Sequence, residues 1–184
     1  MTRLKITALA LFTAGVFMAF AGSASAAPTL TSPAGTEYTG TVTATANSSI
    51  LFKATFANVT CTSATASGTG STNNETHASG SITMLSASGC STTIDTLVNG
   101  SLTVNQKGEV FGSNSRVTMV AFGVDCVFGT TTNTKLGTLT GGTPAKGTLS
   151  ATLPLLEGSA FACGSTGTWS GGYTVTTPGT LLVT

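Results

Sequence analysis

Apolar residues in this chain recur at every second position over short stretches, which is the period of a strand with one buried face. The pattern is clearest from Arg116 to Phe128. There Val120, Phe122, Val124, Cys126 and Phe128 share one face, with Ala121, Gly123, Asp125 and Val127 on the other, and one continuous strand is expected. Ile50, Phe52, Ala54 and Phe56 form a second such face, after which the apolar parity moves to Val59 and Cys61, as a β-bulge near Ala57-Asn58 would cause. Leu102, Val104 and Val110 flank Asn105-Gln106-Lys107-Gly108, whose glycine can take a positive φ and close a hairpin. Ile82/Met84, Leu149/Ala151/Leu153 and Trp169/Tyr173/Val175 supply further alternating faces. With Tyr38 to Ala44 and Leu136 to Thr140, about eight or nine strands are expected. Ser63 to Ser79 has Ser, Thr, Gly and Asn without an apolar period, and reads as a surface loop or an exposed edge hairpin.

Composition points the same way. Thr and Val are stiff at χ1 and suit a pleated surface, while the scarcity of Lys, Glu, Gln and Arg removes the residues that sustain solvent-facing helices. The expected fold is therefore all-β, an antiparallel β-sandwich of the immunoglobulin type or related.

The first 26 residues have their own pattern. Arg3 and Lys5 precede an apolar run from Ile6 to Phe20, and Ala24-Ser25-Ala26 is an A-x-A cleavage signal, the layout of a secretory signal peptide. Residues 27–184 are then expected to be one secreted or extracellular domain, with association to the cell envelope compatible and no transmembrane segment left after cleavage. Losing Arg3 and Lys5 from seven basic residues leaves five against six acidic ones, a formal charge of −1. Those five cations (Lys53, Lys107, Arg116, Lys135, Lys146) are scattered, which disfavours nucleic acid and a membrane-surface helix as partners.

Four cysteines follow the cut: Cys61, Cys90, Cys126 and Cys163. An even number in an exported chain reads as two disulfides, for which spacing alone permits three connectivities. A weak internal repeat favours Cys61 with Cys90 and Cys126 with Cys163. In each half a strand ends in Cys and a Gly-led strand (Gly80-Ser81-Ile82-Thr83, Gly147-Thr148-Leu149-Ser150) opens before the next Cys. No C-x-x-C spacing suggests zinc, and no metal or cofactor is expected.

Catalytic signatures are missing. His77 is the one histidine, in a polar stretch (Asn73 to Ser79) without an apolar frame, and reads as a solvated side chain rather than a general base. Neither G-x-S-x-G nor H-E-x-x-H occurs. The carboxylates Glu37, Glu75, Asp95, Glu109, Asp125 and Glu157 are dispersed; Asp125 lies in the strongest strand and by parity faces outward. Trp169 and Tyr173, four apart in a strand, share a face with Val175 and read as core, with a stacking platform as the functional alternative. No catalytic residue is assigned.

Val59-Thr60-Cys61-Thr62, Gly80-Ser81-Ile82-Thr83, Gly89-Cys90 and the ending Cys163-Gly164 with Trp169-Ser170-Gly171-Gly172-Tyr173-Thr174-Val175-Thr176-Thr177-Pro178 resemble a group of small exported bacterial proteins, mostly uncharacterised. Some of these are similar to the exported activator of alkane oxidation. The resemblance implies a secreted β domain with two disulfides, and contact with apolar substrates.

Two functions of different class remain. One is a non-catalytic secreted or envelope-associated structural or interaction protein, partnered by envelope components or by itself. The other is an extracellular carrier of an apolar small molecule, which needs an unfilled space lined by residues such as Phe52, Phe122 and Phe128.

Overall fold

The structure is a computed structural model that describes residues 30–183 apart from 33–35, 56–57, 74–76, 122, 158 and 160. Residues 1–26, expected to be a signal peptide, and Phe56, Ala57, Asn74, Glu75 and Phe122 lie outside the described residues. Within them the strands are β1 (Leu30–Thr31), β2 (Thr41–Ala46), β3 (Ile50–Ala54), β4 (Asn58–Asn73), β5 (His77–Cys90), β6 (Ile94–Val98) and β7 (Ser101–Asn105). They continue with β8 (Glu109–Ser113), β9 (Arg116–Ala121), β10 (Val124–Gly129), β11 (Thr134–Thr140), β12 (Lys146–Pro154), β13 (Thr166–Thr177) and β14 (Leu182–Val183). One 3₁₀ turn, Phe161–Cys163, separates β12 from β13, and no described helix is long and apolar enough to cross a membrane.

The main sheet runs β12-β11-β8-β7-β5-β4-β2-β13, and β13 pairs back onto β12 from Lys146↔Thr174 to Pro154↔Thr166. That last pairing closes eight strands into an antiparallel barrel, so the all-β expectation holds while the simple sandwich gives way to a barrel. β3 shares a stave with β2. Both pair with β4 and β13, β2 against Thr65–Thr69 and Tyr173–Thr177, β3 against Asn58–Cys61 and Gly167–Ser170. A second sheet, β10-β9-β6, repeats the order β11-β8-β7 of the barrel wall. Three neighbouring staves thus bend, at residues 99–100, 114–115 and 130–133, out of the barrel and over its end. The bend is held where Thr130 N donates to Ser115 O (2.8 Å) and Ser115 N donates to Thr130 Oγ1 (2.8 Å).

This overlying sheet makes a filled core with β3, β12, β13 and the first part of β4. Ile50, Phe52, Val59, Cys61, Val117, Met119, Cys126, Phe128, Ala151 and Leu153 are buried in it. Phe128 is wholly buried, its ring centroid 5.2 Å from that of Phe52, which in turn meets Trp169 edge-on at 6.1 Å. At the barrel's other end Leu181, Val175 and Ala145 form a smaller cluster with Leu30, Tyr38, Val42, Ala44 and Leu139, beside the β1–β14 ribbon.

Three local expectations are corrected. The stretch Arg116–Phe128 is a hairpin, not one strand: Gly123 has φ +77°, and Val124 pairs with Ala121. The inward set is therefore Val117, Met119, Cys126 and Phe128, and Val120 falls on the opposite face from Met119. The parity shift after Ala54 is likewise a hairpin, with Lys53 opposite Asn58, rather than a bulge. Finally, the stretch from Ser63 is no loop or free edge, because β4 is paired on one side with β2 and on the other with β5. The hairpin at Asn105–Gly108 is as expected: Gly108 has φ +72°, and Asn105 Oδ1 accepts from the backbone N–H groups of Lys107 (2.9 Å) and Glu109 (3.0 Å).

Candidate functional site

The barrel interior is vacant. A cavity of about 290 Å³ lies between Leu181 and Val175 at one end and Trp169, Leu153 and Val117 at the other. Its wall takes Val42 and Ala44 from β2, Ala66 and Gly68 from β4, and Ala78, Gly80, Ile82 and Leu85 from β5. Leu102, Val104, Val110, Leu136, Leu139, Leu149 and Tyr173 complete it.

The reason for the void is the size of the inward residues. Along β4 the positions Ala64, Ala66, Gly68 and Gly70 alternate with Thr65, Ser67 and Thr69, and β5 continues the pattern with Ala78 and Gly80. A Cβ on Gly68 would stand 2.6 Å from the Ser81 carbonyl oxygen, so the close β4–β5 contact at this irregularity itself requires glycine. The hydroxyls of the intervening residues are joined across the strands: Thr43 Oγ1 lies 3.1 Å from Ser67 Oγ, and Thr69 Oγ1 lies 3.0 Å from Ser81 Oγ. The lumen surface is consequently almost all carbon.

Polar atoms near the lumen are few. Trp169 Nε1 is shielded from solvent and finds no acceptor among the described residues. The neighbouring Tyr173 phenol has its pKa pushed up to about 12, chiefly by burial, with the Trp169 N–H acting weakly the other way. Ser115 Oγ, also bordering the cavity, is a second shielded atom without a described partner.

Charges stay outside. Glu37, Lys53, Lys107, Arg116, Asp125, Lys135, Lys146 and Glu157 are all exposed. Arg116 borders the cavity, yet its stem lies on the outward face of β9, where a Cβ on Gly129 would meet Arg116 Cγ at 3.3 Å. Half-buried Glu109 is bound by Lys135 Nζ (2.6 Å) and Asn105 Nδ2 (2.7 Å), and these two hydrogen bonds, Lys135 first, hold its carboxyl below the usual range. Among the described residues, two large apolar side chains are exposed, Met84 and Val98. They flank the fork where β6 leaves β5, just past the last ties, Ile82 N to Gly100 O (2.8 Å) and Asn99 Nδ2 to Thr83 O (2.8 Å).

The sequence-level candidates are distributed as follows. Cys61 is bonded to Cys90 and Cys126 to Cys163, the pairing that the internal repeat favours. His77 opens β5 opposite Asn105 and is half-buried, so it belongs to the barrel wall rather than to a loop. No group of three or more His, Cys, Asp or Glu that could hold a metal is found among the described residues. Trp169 and Tyr173 share the inward face of β13 and pack against the filled core, as expected, while also bordering the cavity. Phe52 and Phe128 fill the covered end and do not line the lumen. The larger lining residues, such as Ile82, Leu102, Val104, Val110 and Leu149, were read as inward faces, but the small ones of β4 and β5 that leave the lumen open were missed because their period is one of small side chains against Ser and Thr, not of large against polar. Comparison with protein-family models, curated proteins and solved structures finds no match.

Proposed function

We propose that this protein is a non-catalytic carrier that holds one small apolar molecule inside the barrel, and that it works outside the cytoplasm. The observation that carries the reading is the vacant lumen, walled by carbon inside while Thr and Ser face outward. A membrane-spanning barrel has the reverse arrangement, apolar outside and polar within. The two disulfides suit an oxidising compartment, in keeping with the signal peptide expected at residues 1–26. A structural or interaction module has no use for an internal void, and the void shifts the balance towards the carrier.

Size sets the ligand. At roughly 30 Å³ per water-sized group, the lumen takes about ten such groups, a medium-length alkyl chain or a two-ring hydrocarbon. Burying ten methylenes at about 0.8 kcal/mol each gives ~8 kcal/mol, a Kd near ~1 μM before the losses of association weaken it. The test is titration of the secreted protein with a fluorescent apolar probe of matching size such as naphthalene, followed by displacement with decane. Saturable one-to-one binding reversed by decane is expected. A signal that never saturates, or that decane leaves unchanged, would overturn the carrier reading in favour of the structural one.

A further inference from the structure

We infer that the ligand is a neutral molecule carrying one oxygen acceptor, a ketone, aldehyde, ester or ether on a short hydrocarbon frame, and that Trp169 and Tyr173 form its polar handle. This rests on the carrier reading and narrows it. The cavity wall offers almost nothing polar, yet two donors stand on the inward face of β13, four residues apart. Trp169 Nε1 is a donor only, shielded and without an acceptor among the described residues; a buried donor left unpaired is destabilising, and it is relieved by an oxygen placed beside it. The Tyr173 phenol, kept in its neutral form by burial, is a second donor at the same place.

A charged head group is a poor fit. Among the described residues Arg116 is the one Lys or Arg that borders the cavity, and it is exposed, on the face of β9 opposite the buried Val117 and Met119. A carboxylate drawn into the barrel would lose its hydration with no cation to meet it. A pure hydrocarbon fits the walls but leaves the Trp169 donor unpaired.

The inference is tested with two ligands of equal size, 2-decanone and undecane, on the wild type and Tyr173→Phe. The variant is expected to weaken 2-decanone relative to undecane by roughly 3- to 10-fold, the range for losing one neutral hydrogen bond. Retained undecane binding also shows that the variant folds. A measurement without substitution stands beside it. Trp169 is the one tryptophan, so its indole N–H proton gives a single resonance, which 2-decanone should shift downfield and undecane should not. Equal weakening of both ligands, an indole resonance indifferent to the ketone, or decanoate at pH 7 binding as tightly as 2-decanone would each overturn the inference. If undecane and 2-decanone both fail to bind the wild type, the carrier reading itself falls.

Discussion

The covered end and the open barrel share the staves β4, β12 and β13 and differ in what is turned into the space between the walls. At the covered end, β9 and β10 present Val117, Met119, Cys126 and Phe128 to Phe52, Val59 and Leu153, and the space is full. In the barrel proper, β4 and β5 present Ala66, Gly68, Ala78 and Gly80, and the space is open. Outside, both ends carry the same Thr and Ser. Filled or hollow is thus decided by side-chain volume at alternate positions, since close packing follows only where the inward volumes sum to the space available. The covered end is the stabilising part, holding one disulfide between its buried sulfurs (Cys126–Cys163) and half of the other (Cys61), which leaves the barrel free to spend its interior on something other than packing.

Truncation should break the comparison most sharply. Phe128→Ala opens a new void in the filled end and is expected to lose about 3–5 kcal/mol. Leu149→Ala only enlarges an existing one and should lose about 2 kcal/mol, the low end for such a change. Denaturant unfolding of both variants measures the difference. Equal losses would mean that the lumen is packed in solution and that the two ends do not differ.

A smaller effect comes from Tyr173. Its folded pKa, near 12, lies above the ordinary value of 10.0, so the folded state favours the neutral phenol. The resulting stability is fully present below pH 10 and is lost as pH rises through 12, about 2–3 kcal/mol in all. Unfolding measured from pH 9 to pH 12 should show this decline in the wild type and not in Tyr173→Phe. The same decline in both would place the phenol in water rather than against the lumen.

The fold class and the disulfides were legible because they rest on strong local signals: alternating Val, Phe and Leu, few helix formers, and an even number of cysteines repeated in two halves. Closure was not. It depends on β13 meeting β12 and on β2 and β3 sharing a stave, long-range pairings that leave no mark on any single stretch. The hairpin inside Arg116–Phe128 was hidden because apolar residues continue in both parities across Gly123, so the turn did not interrupt the pattern. The lumen was the least visible feature. Ala64-Thr65-Ala66-Ser67-Gly68-Thr69-Gly70 does alternate, but between small and hydroxyl residues, and a rule that looks for large apolar side chains reads it as a loop. Trp169 and Tyr173 were found as a face and read as core, which they do pack against; the open space they also border was not legible, because periodicity says which way a side chain points and nothing of whether all the space ahead of it is occupied.

The account turns on that space, and filling it is the most direct test. Ala66 faces the lumen opposite Ala44 and Leu85, so Ala66→Leu adds volume where there is room for it. Calorimetric titration of wild type and variant with decane, alongside their melting temperatures, reads both consequences at once. One-to-one binding by the wild type, at least tenfold weaker binding by Ala66→Leu and a melting temperature no lower than the wild type's are expected, because filling a void does not strain a wall that was not packed. Undiminished decane binding by Ala66→Leu, or a variant destabilised as an overpacked core would be, would contradict the hollow barrel.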